Sequence, residues 1–112
     1  DTKLNSKSTQ QITATINGLS CKISLVKIYK FVFCSISATG SLSANHGVSV
    51  VIPAGYRPCY SSILTAKNVT SANYAADYGV TRYLITTDVS IDIVSDKKDS
   101  LERHVSGCWI IN

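Results

Sequence analysis

Methionine is absent from the 112 residues. An open reading frame begins with one, so the expectation is a fragment or a processed chain. No apolar run reaches the roughly 18 residues that a membrane span requires. Asp1 to Gln11 is polar apart from Leu4, so a secretion signal is not expected there. Membrane insertion is therefore not expected. C-x-x-C pairs are missing, which argues against a zinc ribbon or a thioredoxin-type site. His46 and His104 are not spaced as paired metal ligands, so neither a metal nor a cofactor is expected. G-x-S-x-G, H-E-x-x-H and a Gly-rich phosphate loop are also missing. Acids are few, seven in all. Asp88 and Asp92 lie on hairpin flanks, whereas glycosidase chemistry needs two carboxyls at a controlled separation, one held protonated by burial. The expectation is a protein that is not an enzyme.

The formal net charge is +4. Its cations are scattered, at Lys3, Lys7, Lys22, Lys27, Lys30 and Lys67. Only Lys97 and Lys98 are adjacent, between Asp96 and Asp99. Without a basic stripe or an RNA-binding motif, solvated surface charge is the reading and nucleic acid is not an expected partner.

The chain is 45% hydrophobic and 16% charged, enough to bury a real core. Its length suits one domain. Four cysteines, Cys21, Cys34, Cys59 and Cys108, would allow two disulfides in an oxidising compartment. Cys34 and Cys108 sit in apolar strand runs, where a free thiol behaves as a small buried hydrophobe. Reduced structural cysteines are the favoured reading.

Residues 1–10 read as a polar linker or tail. Beyond it the pattern has the period of two that marks β-strands. Ile12, Ala14 and Ile16 alternate with threonines, and Cys21, Ile23 and Leu25 alternate with Lys22 and Ser24. Between them Asn17-Gly18 tolerates the positive φ of a type I′ hairpin. Tyr29 to Ser37 is apolar on both faces: Tyr29, Phe31 and Phe33 on one, Val32, Cys34 and Ile36 on the other. Such a strand is covered twice, by a core and by a second layer or subunit. Thr39 to Asn45 reads as a loop, and Val48, Val50 and Ile52 as a strand stopped by Pro53. Pro53 and Pro58 lack an N–H and cannot sit in a central ladder. Tyr60 to Leu64 reads as a short strand, and Ala66 to Gly79 as an exposed loop. Val80 to Thr87 and Ile91 to Val94 follow as strands, then a charged loop from Asp96 to Glu102. His104 to Ile111 closes the chain with Val105, Trp109 and Ile111 on one face. Some eight short strands at near-regular spacing, without a long helix, predict an all-β antiparallel sandwich, jelly-roll-like, over residues 11–112.

Ile52 to Pro58 reads IPAGYRP. It resembles the L-P-x-G-Y-R-P box of a domain found in tail proteins of phages that infect Gram-positive bacteria. The aromatic strand KIYKFVFCSISATG before it, the hairpin Ile85 to Ile93 after it, and the closing Ser106-Gly107-Cys108-Trp109-Ile110 resemble that domain in the same order. Val89 departs from the pattern, which has Gly there; a β-branched residue is costly at positive φ. The resemblance covers about residues 11 to 112. It implies the receptor-binding head of a phage tail fibre or baseplate protein, with residues 1–10 leading from a preceding fibre segment. It further implies a homotrimer that contacts other tail or baseplate proteins and adheres to host cell-surface saccharide. The expected location is the virion tail, acting outside the host cell after synthesis in the host cytoplasm. Alternatives are a purely structural trimerisation or shoulder module of a fibre, and a carbohydrate-binding module of a secreted bacterial protein.

Candidate ligand-binding residues are Tyr74, Asp77 and Tyr78, with His46 and Arg82; Asn73 could contribute. Saccharide sites pair aromatic faces with carboxylates and amides, and loops on rigid β scaffolds carry function. Tyr56-Arg57-Pro58 reads instead as a fixed turn, with Tyr56 packed and Arg57 bonding backbone carbonyls. Trp109 reads as core rather than as a sugar platform. Asn68-Val69-Thr70 is a glycosylation sequon that would stay unused in a bacterial virus.

Overall fold

Asn17 and Gly18 take φ of 52° and 82° and reverse the chain between β1 (Lys7–Ile16) and β2 (Leu19–Ile28), as a two-residue I′-type hairpin requires. A second two-residue reversal, Tyr29-Lys30, leads into β3 (Phe31–Gly40). Then come β4 (His46–Val50), β5 (Ser62–Lys67), β6 (Val80–Ile85), β7 (Ser90–Ser95) and β8 (Leu101–Ile110). The computed structural model describes residues 7–44, 46–70, 72, 78–87, 90–95 and 100–111, without the side chains of 46, 49 and 50. Two four-stranded antiparallel sheets, ordered β1-β2-β3-β8 and β4-β7-β6-β5, form the expected all-β sandwich. Among the described strands, β8 alone returns to the first sheet, where it pairs with β3.

Between the sheets, Ile16, Leu19, Cys21, Ile23, Leu25, Val32, Cys34, Ile36 and Ala38 meet Ala66, Tyr83, Ile85, Ile91 and Ile93. The alternation of β1 and β2 therefore reads as anticipated, and of the two apolar faces of β3 the one with Val32, Cys34 and Ile36 turns inward. Several boundaries differ. β1 begins at Lys7, so residues 7–10 are strand rather than linker, because they continue the ladder opposite Leu25 to Ile28. Tyr29 is not in the aromatic strand; pairing of Ile28 with Phe31 leaves two residues for the turn, and Tyr29 takes φ 56°. Val48 is 62% exposed while Ile52, beyond the end of β4, is buried, so they do not share one inward strand face. Cys108 is exposed, because the inward positions of β8 are Leu101, Arg103, Val105, Gly107 and Trp109. The strand after Tyr60 begins at Ser62 and runs to Lys67, and β8 begins at Leu101 rather than His104.

The strands of the first sheet, ten residues each, outrun the five or six of the second. Part of the overhang is closed by IPAGYRP. Gly55 takes φ 88° and the Tyr56 N–H donates to the Pro53 carbonyl at 3.1 Å, the geometry of a turn with Gly at its third position. That turn drives Tyr56, 6% exposed, against one inward row of the first sheet. The Tyr56 hydroxyl donates to Ser8 Oγ at 2.8 Å, Lys27 Nζ lies 4.8 Å from the ring centroid, and Trp109 Nε1 donates to the Tyr56 carbonyl at 2.7 Å. Ser8, Lys27, Val32 and Trp109 are successive cross-strand partners. Arg57 Nε donates to the Ile52 carbonyl at 3.2 Å. The box is thus a plug under the sheet, and Trp109 is core.

Candidate interaction surface

The register fixes the outward rows of the first sheet. Lys7, Ile28, Phe31 and Ile110 form one row, and Thr9, Val26, Phe33 and Cys108 the next. Then come Gln11, Ser24, Ser35 and Ser106; Thr13, Lys22, Ser37 and His104; and Thr15, Ser20, Thr39 and Glu102. One end of the face is apolar and the other carries hydroxyls, amides and charges. Phe31, Phe33 and Ile110 stand 45%, 48% and 52% exposed. Tyr60, on the segment that follows the IPAGYRP plug, is 81% exposed beside them. Grooves of about 420 Å³ and 400 Å³ open here. The first runs between Val26, Phe33 and Cys108, and the second between Phe31, Tyr60, Trp109 and Ile110.

The edge beside these grooves is held by the 59–69 segment. Cys59 N–H donates to the Ile110 carbonyl at 2.9 Å, and Val69 and Glu102 exchange N–H···O bonds at 3.1 and 2.8 Å. Both ends of β8 are therefore hydrogen-bonded on the side away from β3, which limits that edge as a template for another strand.

On the polar end, Ser37 Oγ lies 3.0 Å from His104 Nδ1, and His104 Nε2 lies 3.0 Å from Glu102 Oε1. Serine, histidine and carboxylate in series are the residue types of nucleophilic hydrolases. Here they stand on an open face, with the His104 side chain 42% exposed. Ser37 belongs to a strand paired on both sides, so the N–H groups around it serve the ladder and offer no oxyanion hole. Chemically the chain of three is a donor and acceptor surface. Sequence reading missed it, because only the pairing of β3 with β8 brings residues 37, 102 and 104 together.

Of the anticipated ligand residues that are described, His46 and Arg82 belong to the other sheet. Tyr74, Asp77 and Asn73 lie outside the described residues, as do Asp88 and Val89. His46 opens β4 opposite Val94 instead of lying in a loop. Arg82 is exposed on β6, opposite Thr65 and Val94 in the other sheet. Tyr78 is half-buried, and its carbonyl accepts from Asn68 Nδ2 at 3.1 Å.

Asn68, the sequon residue, is fully buried. Its Oδ1 accepts from Thr81 Oγ1 at 2.6 Å, and Thr81 Oγ1 accepts from Arg103 Nε at 3.0 Å. Arg103 is also fully buried; its guanidinium reaches the Gly40 and Leu101 carbonyls at 3.2 and 3.3 Å, and its carbonyl accepts from the Tyr83 hydroxyl. Alternation alone hides this network, since an inward polar residue looks like a break in the pattern. All four cysteines are free thiols. Burial pushes the Cys34 thiol up to about 12 and raises that of Cys21. Tyr83 is raised too, first by burial, then by Cys21, with Arg103 opposing.

Among the described residues no cluster of three His, Cys, Asp or Glu side chains is placed to hold a metal ion, and no helix is long and apolar enough to cross a membrane. No protein-family model and no curated protein matches the chain.

Proposed function

We propose that the chain is a non-catalytic binding module: the head of a phage tail fibre or baseplate protein, homotrimeric, that attaches the virion to host cell-surface saccharide. The observation that carries this reading is the division of one rigid β face into an apolar end and a polar end. Contiguous exposed apolar surface marks contact with another macromolecule. The polar end offers Ser37, Thr13, Lys22, His104 and Glu102 as donors and acceptors, which suits hydroxyl-rich ligands. IPAGYRP supports the reading as a resemblance in sequence; its part in this fold is to plug the sheet.

A glycan array, with pull-down of whole host cells, tests attachment. Binding of cell-wall or capsular saccharide is the expected result, and no binding to either overturns it. A second reading, a structural shoulder module, is favoured by one observation: the two grooves on this face are lined chiefly by apolar groups. Deleting the domain would then stop fibre assembly instead of changing host range.

A further inference from the structure

We infer that the cavity beside the IPAGYRP turn binds an oxyanion, the phosphate or carboxylate of an acidic saccharide unit, with Arg57 as its chief donor. This rests on the attachment half of the reading above and deepens it by naming the class of saccharide and a second site for it. The cavity holds about 270 Å³ and is lined by Gly55, Arg57, Pro58, Cys59, Thr87 and Ile111. Pockets for drug-sized molecules begin at roughly 300 Å³, so this one suits a single sugar with its charged group.

Charge selects the occupant. Cations that look scattered along the sequence converge at this end of the sandwich. Lys7 and Lys27 stand in the last two rows of the first sheet, opposite Ile28 and Ser8. Lys30 follows in the hairpin turn, and its carbonyl accepts from the N–H of Ile111, a wall residue, at 2.9 Å. Lys27 Nζ donates to the carbonyl of Gly55, another wall residue, at 3.2 Å. No described carboxylate pairs with any of these or with Arg57. The described acids lie elsewhere: Glu102 opposite Thr39, toward the other end of the sheet, and Asp92 on β7 between Val48 and Leu84. An anion entering the cavity therefore meets positive potential with no opposing charge among the described residues.

Geometry supplies the rest. Arg57 Nε is tied to the Ile52 carbonyl at 3.2 Å, which holds the guanidinium in place and leaves its other N–H groups for a ligand. Such a planar fork matches phosphate and carboxylate oxygens in pairs. The exposed Thr87 hydroxyl adds a donor, and Pro58 and Ile111 offer apolar wall to the C–H groups of a sugar ring. Ser37, His104 and Glu102 stand toward the other end of the first sheet, so the two sites are separate.

The test titrates the isotope-labelled full chain with glucose 6-phosphate, glucuronate and glucose at millimolar concentration and follows amide NMR shifts. Saturable shifts at Gly55, Arg57, Cys59, Thr87 and Ile111 are expected with one or both acids, and none with glucose. Tighter binding of the sugar phosphate assigns a phosphate-bearing polymer, and of glucuronate a uronic acid polymer. Arg57→Gln should weaken binding at least about tenfold, as loss of a charge-assisted pair requires. Thr87→Glu sets a carboxylate in the cavity without touching the turn and should weaken it by as much. Lys67→Gln, exposed on β5 in the other sheet, should change nothing. Circular dichroism and Tm report that each variant is folded.

Absence of shifts with both acids overturns the inference. So does glucose that binds as well as the acids, or an affinity that a folded Arg57→Gln or Thr87→Glu chain leaves unchanged. Acids bound in the cavity with no host saccharide on the array uphold the site and remove the attachment reading. Saccharide bound on the array with no acid in the cavity overturns the site and leaves attachment standing through another surface.

Discussion

The indole N–H of Trp109 donates to the Tyr56 carbonyl at 2.7 Å, so a residue in the last strand fastens the turn that plugs the sheet. Both are buried, and Tyr56 also reaches Ser8 through its hydroxyl. The contact ties three distant stretches of chain into one layer.

Replacing Trp109 with Phe leaves the Tyr56 carbonyl without that donor and removes volume. A loss of about 2 to 4 kcal/mol is expected. Tyr56→Phe gives up only the hydroxyl bond to Ser8 and should cost about 1 kcal/mol. Urea unfolding at neutral pH measures both. Equal losses would mean that the indole bond adds nothing beyond ordinary packing.

Thr81→Val keeps the shape of a fully buried side chain but severs both of its links, to Arg103 and to Asn68. Expected destabilisation is about 2 to 4 kcal/mol, because each partner loses a buried hydrogen bond. A double-mutant cycle with Asn68→Ala should show coupling of about 1 kcal/mol or more; additive losses would mean the two residues act separately.

Asn17 does more than turn the chain. Its Nδ2 donates to the carbonyls of Ala44 and Ile93, both at 3.1 Å, and its Oδ1 accepts from the Ala44 N–H at 2.9 Å. Asn17→Asp keeps a residue that tolerates positive φ but turns the Nδ2 donor into an acceptor facing two carbonyl oxygens. It should cost about 2 kcal/mol or more, and Asn17→Gly about 1 kcal/mol. Near-neutral effects of both in thermal unfolding would show that turn propensity alone matters.

Stability should fall on the alkaline side. The folded Cys34 thiol is raised to about 12 from an ordinary 9.0, so between those values the native state holds a proton that the unfolded chain has released. Stability from this group is complete below about pH 9 and declines above it, by up to about 1.4 kcal/mol per pH unit. Cys21 and Tyr83 shift in the same direction and steepen the fall. Urea midpoints should hold steady near neutral pH and drop above about pH 9. Cys34→Ala should be less stable at neutral pH and lose less on raising it.

Particular residues show where the sequence was legible. Cys21, Ile23 and Leu25 point inward because each is flanked by polar neighbours and β geometry alternates sides. Asn17-Gly18 declared its hairpin, since few other pairs accept positive φ twice. Arg103 and Asn68 were not legible as buried, because a polar side chain enters a core only when its partners converge, and those partners lie on other strands. Cys108 was misjudged because an apolar neighbourhood in sequence does not say which face a strand turns inward. Ser37, His104 and Glu102 come together only once β3 is known to pair with β8.

The sequence by itself determined the all-β class, the first hairpin and the inward set of the first two strands, because these follow from local alternation and turn chemistry. Tertiary structure alone decided that IPAGYRP plugs a sheet, that Arg103 is sequestered, and that Phe31, Phe33 and Ile110 share one open face. Those outcomes depend on which distant strands pair and in what register, and a shift of one residue would reverse every side chain involved.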